Sequence, residues 1–189
     1  FSSAANLKNV LAYAEKFNCP AVLAATGYTE ADLKEIDEAS KKVALFKTAN
    51  LSVGINLLQK LVKEAAAFLG EAFDIELVEK HHNLKKDAPS GTALMLAESA
   101  NEAFSGNKNF VYGREGMVGA RDKREIGIHA VRGGTIVGEH EVMFAGEDEI
   151  VTLSHSARSK KVFAAGAVTA AKFIAGKPAG KYDMHDVIG

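Results

Sequence analysis

The sequence predicts an α/β protein: a parallel layer of strands and helices followed by a region dominated by strands. Two observations carry this. Short apolar runs at Ala21–Ala24 and Val43–Phe46 alternate with segments whose apolar residues recur at helical spacing, the pattern of a parallel layer covered by helices. From Ile126 to His155 the helical period disappears, and apolar runs are punctuated by Gly133-Gly134 and Gly146-Glu147-Asp148, which predicts a meander with two hairpin turns.

Taken in order, Leu7, Val10, Leu11, Ala14 and Phe17 mark a helix over Asn6–Phe17, and Cys19-Pro20 breaks it before the first strand. Thr26-Gly27-Tyr28 turns the chain. Thr29 with Asp32 three residues on has the form of a helix cap, and Leu33, Ile36 and Ala39 give that helix an apolar face. After the second strand, Ser52 caps a longer helix with Ile55, Leu58, Val62, Ala65 and Leu69 inward and Gly70 as its stop. Ile75–Val78 reads as a buried strand and Leu94–Phe104 as a helix; Ser105-Gly106-Asn107 turns into a strand at Phe110–Tyr112. The Gly- and Arg-rich stretch from Gly113 to Glu125 is long enough to be functional or mobile. The last helix, Lys160–Ile174, carries Ala164, Ala165, Gly166 and Ala167, small residues suited to close packing on a sheet, and Lys181–Gly189 reads as a tail.

Composition excludes several classes of function. A formal net charge of -1 gives no general attraction to phosphate backbones, so a nucleic-acid partner is not expected. The single Cys19 makes no internal disulfide, and no apolar run is long enough for a membrane span, so the expected compartment is the cytoplasm. The first residue is Phe1 rather than Met, so the chain is expected to have residues upstream.

The functional signal is concentrated between Glu76 and Ala93. A strand leads in, a polar loop carries His81, His82 and Lys85, and Ser90-Gly91-Thr92 opens a helix whose N-terminal amides favour an anion. Read one at a time, these residues are an ordinary solvated loop and a helix cap. Together they offer an imidazole that titrates near neutrality, a lysine as proton donor, and an anion site, which suits a small anionic substrate that must accept a proton. A side chain at Gly91 is expected to intrude where a carboxylate approaches, and to disfavour the local backbone. Adjacent histidines on extended backbone point to opposite faces and do not chelate one metal, and with one cysteine no zinc spacing exists. No metal is expected, and the loop lacks the glycines of a phosphate-binding P-loop.

These residues also carry a resemblance. Glu76-Leu-Val-Glu79-Lys-His81-His82-Asn-Leu-Lys85-Lys-Asp87-Ala-Pro89-Ser90-Gly91-Thr92-Ala93 resembles the signature of the dihydrodipicolinate reductases, departing at Leu77. The likeness continues through Tyr112–Gly116, Gly138-Glu139-His140, His155-Ser156-Ala157 and Tyr182-Asp183-Met184. It implies reduction of a cyclic imine dicarboxylate by NADPH or NADH in lysine and diaminopimelate biosynthesis. His81 and Lys85 then take the catalytic proton-transfer positions, and His82, Lys85, Ser90, Gly91 and Thr92 the substrate-binding ones.

The resemblance further implies nicotinamide contacts from Ala24, Ala25 and Thr26 in one turn and Thr48, Ala49, Asn50 and Leu51 in another. Both turns depart from the family's pattern, as does Ser159-Lys160 where a Ser-Arg pair is expected. The family's Gly-rich phosphate fingerprint lies upstream of Phe1. The implied architecture is a partial Rossmann-like dinucleotide-binding domain, residues 1–51 and 160–189, and an α+β substrate-binding and tetramerisation domain with a mixed sheet, residues 52–159. A homotetramer follows from the same resemblance. The competing readings are a truncated relative that binds the dicarboxylate or only assembles, and a metal-dependent hydrolase using His81 and His82.

Overall fold

The computed structural model describes residues 3–189. They form two compact units, one of residues up to Asn56 together with Lys161–Gly189, the other Leu57–Lys160.

In the first unit a 3-10 turn, Ala4–Asn6, leads into α1, Leu7–Phe17, which ends at Asn18 in the left-handed conformation. β1, Ala21–Leu23, follows. Thr29 then caps α2, Glu30–Ser40, through the reciprocal bonds that the sequence predicts: the Asp32 amide donates to Thr29 Oγ1 (3.2 Å) and the Thr29 amide to Asp32 Oδ2 (2.8 Å). β2, Ala44–Lys47, is buried on both faces, which explains its unbroken apolar run. Leu45 packs with Leu7, Leu11, Ala14 and Ile36, whereas Ala44 and Phe46 pack with Ala170, Ile174 and Met184.

The residues that read as a tail do more than trail. Gly180–Tyr182 is a strand, β8, and the sheet order is β1-β2-β8 with all pairings parallel. Asp183 then caps a short helix, α6, Met184–Ile188, which buries Met184. A three-residue strand is too short to show a period of two, so only its partner β2 reveals it. The small residues of α5, Lys161–Ile174, have the predicted use: a Cβ on Gly166 would lie 1.7 Å from the Leu51 carbonyl oxygen.

α3, Val53–Leu69, carries the chain from the first unit to the second. Its buried positions include Ile55, Leu58, Val62 and Ala66, with Ala65 only half-buried. The second unit is a five-stranded mixed sheet in the order β4-β5-β3-β6-β7, formed by Asn109–Tyr112, Glu125–Arg132, Asp74–His81, Gly138–Ala145 and Ile150–Ala157. α4, Gly91–Glu102, packs over β3 and β5, burying Ala93, Leu96, Ala97 and Ala100 beside Ile75, Leu77, Ile126 and Ile128.

This order corrects the expected meander. β6 and β7 do form an antiparallel hairpin, but β5 and β6 are not neighbours, because β3 lies between them, parallel to β5 and antiparallel to β6. The Gly133-Gly134 turn therefore crosses the end of β3: Gly133 donates to the His81 carbonyl (2.9 Å) and Gly134 accepts from Asn83 (3.2 Å).

On the sheet face away from Glu79 and His81, Glu76 anchors the loop between β4 and β5. Arg114 grips its carboxylate with two bonds (2.9 and 3.1 Å), and Arg121 (2.9 Å) and His129 (2.8 Å) add others. Arg121 also donates to the carbonyls of Ile75 and Glu125. Gly127 is paired with Glu76, and a Cβ there would lie 1.9 Å from the carboxylate, so the cluster requires glycine. The Gly- and Arg-rich loop is thus tied to the sheet by its arginines.

Candidate active site

β3 alternates half-buried and buried residues along its whole length, and the buried set is Ile75, Leu77, Glu79 and His81. The strand thus runs through His81, three residues beyond its predicted end at Val78. His81 is consequently not a loop residue: it shares a face with Glu79, and its Nδ1 lies 2.5 Å from Glu79 Oε2.

Glu79 has no solvent exposure, yet its carboxylate is fully satisfied. Arg132 donates to both oxygens (2.8 Å each), and the Ser90 amide donates to Oε1 (3.0 Å). Burial alone would raise the Glu79 carboxyl, but the bonds from Arg132, His81 and Ser90 outweigh it and hold the group below the ordinary carboxylate value. Arg132 also donates to the Asp87 carbonyl (2.7 Å), so one guanidinium ties the strand to the loop that follows it.

Ser90 is the N-cap of α4, as predicted: its hydroxyl accepts from the Ala93 amide at 3.2 Å. The hydroxyl also pairs with His140 Nε2 on β6 at 3.2 Å. Gly91 starts the helix with ordinary backbone geometry, and a Cβ added there meets no atom within 4 Å. Open space therefore lies over the helix start, and the expected backbone penalty for a side chain at Gly91 is absent. Thr92 follows in the first turn, half-buried.

His82 lies just past β3 and is half-buried; its carbonyl accepts from the Lys85 amide (3.1 Å), which closes a turn. Lys85 Nζ pairs with Asp87 at 2.9 Å. The predicted substrate-side residues thus fall on one short segment running from the end of β3 to the start of α4. Glu79, Arg132 and His140 were not singled out for roles from the sequence. The available signal was the alternation of buried positions carried on to Glu79 and His81; nothing local pairs Glu79 with an arginine 53 residues away.

Glu79, His140 and His155 are paired across β3, β6 and β7. Burial, then the nearby His81, lowers the His140 pKa to about 4, and burial lowers that of His155. Hydrogen bonds from Arg114, His129 and Arg121 overcome burial at Glu76 and bring it to about 2. Both groups make stability fall in acid. The unfolded chain takes up a proton at His140 below about 6.5, the native one only near 4; Glu76 repeats this between 4.5 and about 2. Each difference corresponds to about 3 kcal/mol at most. Thermal melts against pH are expected to fall in two stages, with His140→Gln flattening the first and Glu76→Gln the second; a variant that keeps the wild-type slope in its stage would refute that assignment.

In the first unit, the C-terminal ends of β1 and β2 lie side by side: Leu23 pairs with Lys47, and the Thr48 amide donates to the Leu23 carbonyl at 3.2 Å. The turn after β1 includes a buried Ala25 and an exposed Thr26. In the turn after β2, Thr48 and Leu51 are buried and Ala49 is exposed. The Thr48 hydroxyl donates to the Asn50 carbonyl (2.8 Å), and Asn50 Oδ1 accepts from Ser52 (2.8 Å). Thr48 and Leu51 thus shape their turn, while small side chains and backbone at Thr26 and Ala49 face outward. Parallel sheets commonly bind ligands beyond the carboxyl ends of their strands.

Among the described residues, no helix is long and apolar enough to cross a membrane. The family model for the N-terminus of dihydrodipicolinate reductase matches residues 1–51, and that for its C-terminus matches residues 54–188. The 4-hydroxy-tetrahydrodipicolinate reductase of Caldanaerobacter subterraneus subsp. tengcongensis is 54% identical over 188 residues, covering 100% of this chain and 74% of the relative. That of Clostridium perfringens (strain 13 / Type A) is 50% identical over 189 residues, covering 100% and 74%. The dipicolinate-bound dihydrodipicolinate reductase from Paenisporosarcina sp. TG-14 shares the fold with a TM-score of 0.78, at 24% identity over 96% of this chain and 69% of that one. The chain therefore belongs to the dihydrodipicolinate reductase family and is a pyridine-nucleotide-dependent reductase of lysine biosynthesis.

Proposed function

We propose that this chain reduces the cyclic imine dicarboxylate 4-hydroxy-tetrahydrodipicolinate (dihydrodipicolinate) to tetrahydrodipicolinate, with His81 and Lys85 handling the proton that the ring nitrogen gains. The supporting observation is that the end of β3 and the start of α4 are joined through one buried carboxylate: Glu79 binds His81 and the Ser90 amide together. An imidazole and a helix N-terminus are thereby set side by side, the pairing that a substrate carrying both a basic nitrogen and carboxylates requires.

In this reading, His82, Lys85, Ser90, Gly91 and Thr92 hold the substrate carboxylates. Lys85 breaks its pair with the exposed Asp87, a bond of small net value, to reach the substrate. Ala24, Ala25, Thr26, Thr48, Ala49, Asn50 and Leu51 form the nicotinamide edge of a dinucleotide-binding domain made of residues 1–51 and 160–189, with residues 52–159 as the substrate-binding and assembly domain. NADPH or NADH, when bound, supplies the hydride. The cytoplasm and a homotetramer complete the proposal.

Binding of pyridine-2,6-dicarboxylate tests the site directly. Each charge-assisted contact contributes roughly 1.5 to 3 kcal/mol, so losing one weakens binding by about one to two orders of magnitude. Gly91→Val fills the open space over the helix start and is expected to abolish binding with an unchanged circular dichroism spectrum. Wild-type inhibition of that variant would move the anion site elsewhere.

A further inference from the structure

We infer that Glu79 is a positioning residue for His81: it holds the imidazole with its proton on Nδ1 and turns Nε2 away from the carboxylate, over Gly138, while Arg132 and the Ser90 amide lock the carboxylate. The inference deepens the proposed function and rests, for its catalytic part, on His81 as a proton-transfer group.

The geometry carries it. Glu79 and His81 are two residues apart on one strand and both buried, so their side chains stand next to each other on the same face. The Nδ1 to Oε2 approach of 2.5 Å demands one shared proton. Three other donor contacts already reach the carboxylate, two from Arg132 and one from Ser90, and they favour its ionised form, so the proton stays on the ring. With Nδ1 engaged, Nε2 is the nitrogen left to act. It makes no hydrogen bond among the described residues and lies over Gly138, where a Cβ would come within 3.1 Å.

The other charged groups around the ring have different tasks. From β5, Arg132 faces the carboxylate. From the following loop come Lys85 and Asp87, paired with each other. From β6, His140 stands 5.2 Å away, edge to face, with its Nε2 on Ser90 and its Nδ1 buried without a partner among the described residues. His155, on β7, lies beyond His140. None of these offers Nδ1 of His81 a second acceptor, so Glu79 alone decides which nitrogen carries the proton. The bond to the Asp87 carbonyl of the loop that bears Lys85 comes from Arg132, not from Glu79.

The test separates positioning of His81 from a purely scaffolding Glu–Arg pair. Nitrogen-detected histidine NMR of the purified wild-type protein is expected to show the neutral His81 ring protonated at Nδ1; a neutral ring protonated at Nε2 would overturn the inference without any variant being made. Glu79→Gln is expected to lower kcat about 10- to 100-fold, the range typical of groups that orient a functional histidine, while KM for the nucleotide stays within about twofold. In a His81→Gln background the same change is expected to cost no more than about twofold in kcat, because the two residues act as a unit. A full loss in both backgrounds would make Glu79 scaffold and overturn the inference. Should Glu79→Gln fail to fold, the wild-type spectrum still decides. Wild-type kcat in His81→Gln itself would instead remove His81 from the proposed mechanism, leaving the spectrum to decide the orientation of the ring.

Discussion

His81→Gln and Lys85→Ala are each expected to lower kcat by about two to four orders of magnitude, the usual contribution of a positioned acid or base, with little change in melting temperature. The two parts of this expectation have separate causes. Gln at position 81 can still donate a hydrogen bond toward Glu79 Oε2, so the buried carboxylate keeps its partners while the imidazole is lost. Among the described residues the Lys85 ammonium pairs only with Asp87, whose side chain is 59% exposed, and such a pair is worth about 1 kcal/mol or less. Single-turnover kinetics alongside thermal melts check both. Wild-type kcat in either variant would strike that residue from the mechanism, and a large fall in melting temperature would mean that the loss of rate is a loss of fold.

Arg132→Met is expected to have the opposite profile, a large loss of stability. It strands a fully buried carboxylate after removing both guanidinium bonds, and it leaves the Asp87 carbonyl without its donor. Breaking a buried pair from one side costs about 3–5 kcal/mol, which in a chain of this size lowers the melting temperature by roughly 6–20 °C. Adding Glu79→Gln should recover part of the loss, because the remaining partner then carries no charge. Urea unfolding of the single and double variants measures this. A cost for Arg132→Met below about 1 kcal/mol would mean that Glu79 is neutral or reached by water.

The sequence by itself determined whatever depends on neighbours along the chain. The Thr29–Asp32 cap, the Ser90 cap, the helices other than α6 and most of the strands follow from residues within a turn or a few positions of each other, because capping bonds and apolar periods are local. The motif from Glu76 to Ala93 was legible for the same reason, as was the family to which it pointed. Tertiary structure decided the rest, since strand pairing joins segments whose separation no local pattern records. It inserted β3 between β5 and β6 where a meander was expected, made Gly180–Tyr182 a strand by giving it β2 as a partner, and fitted Gly127 against Glu76. It also carried β3 on to His81, turning what read as a solvated histidine into a buried one. A charge at Glu79 looks like surface in the sequence; only the fold, by bringing Arg132 and the Ser90 amide to it, makes its burial possible, because an ionised carboxylate leaves water only where donors replace it.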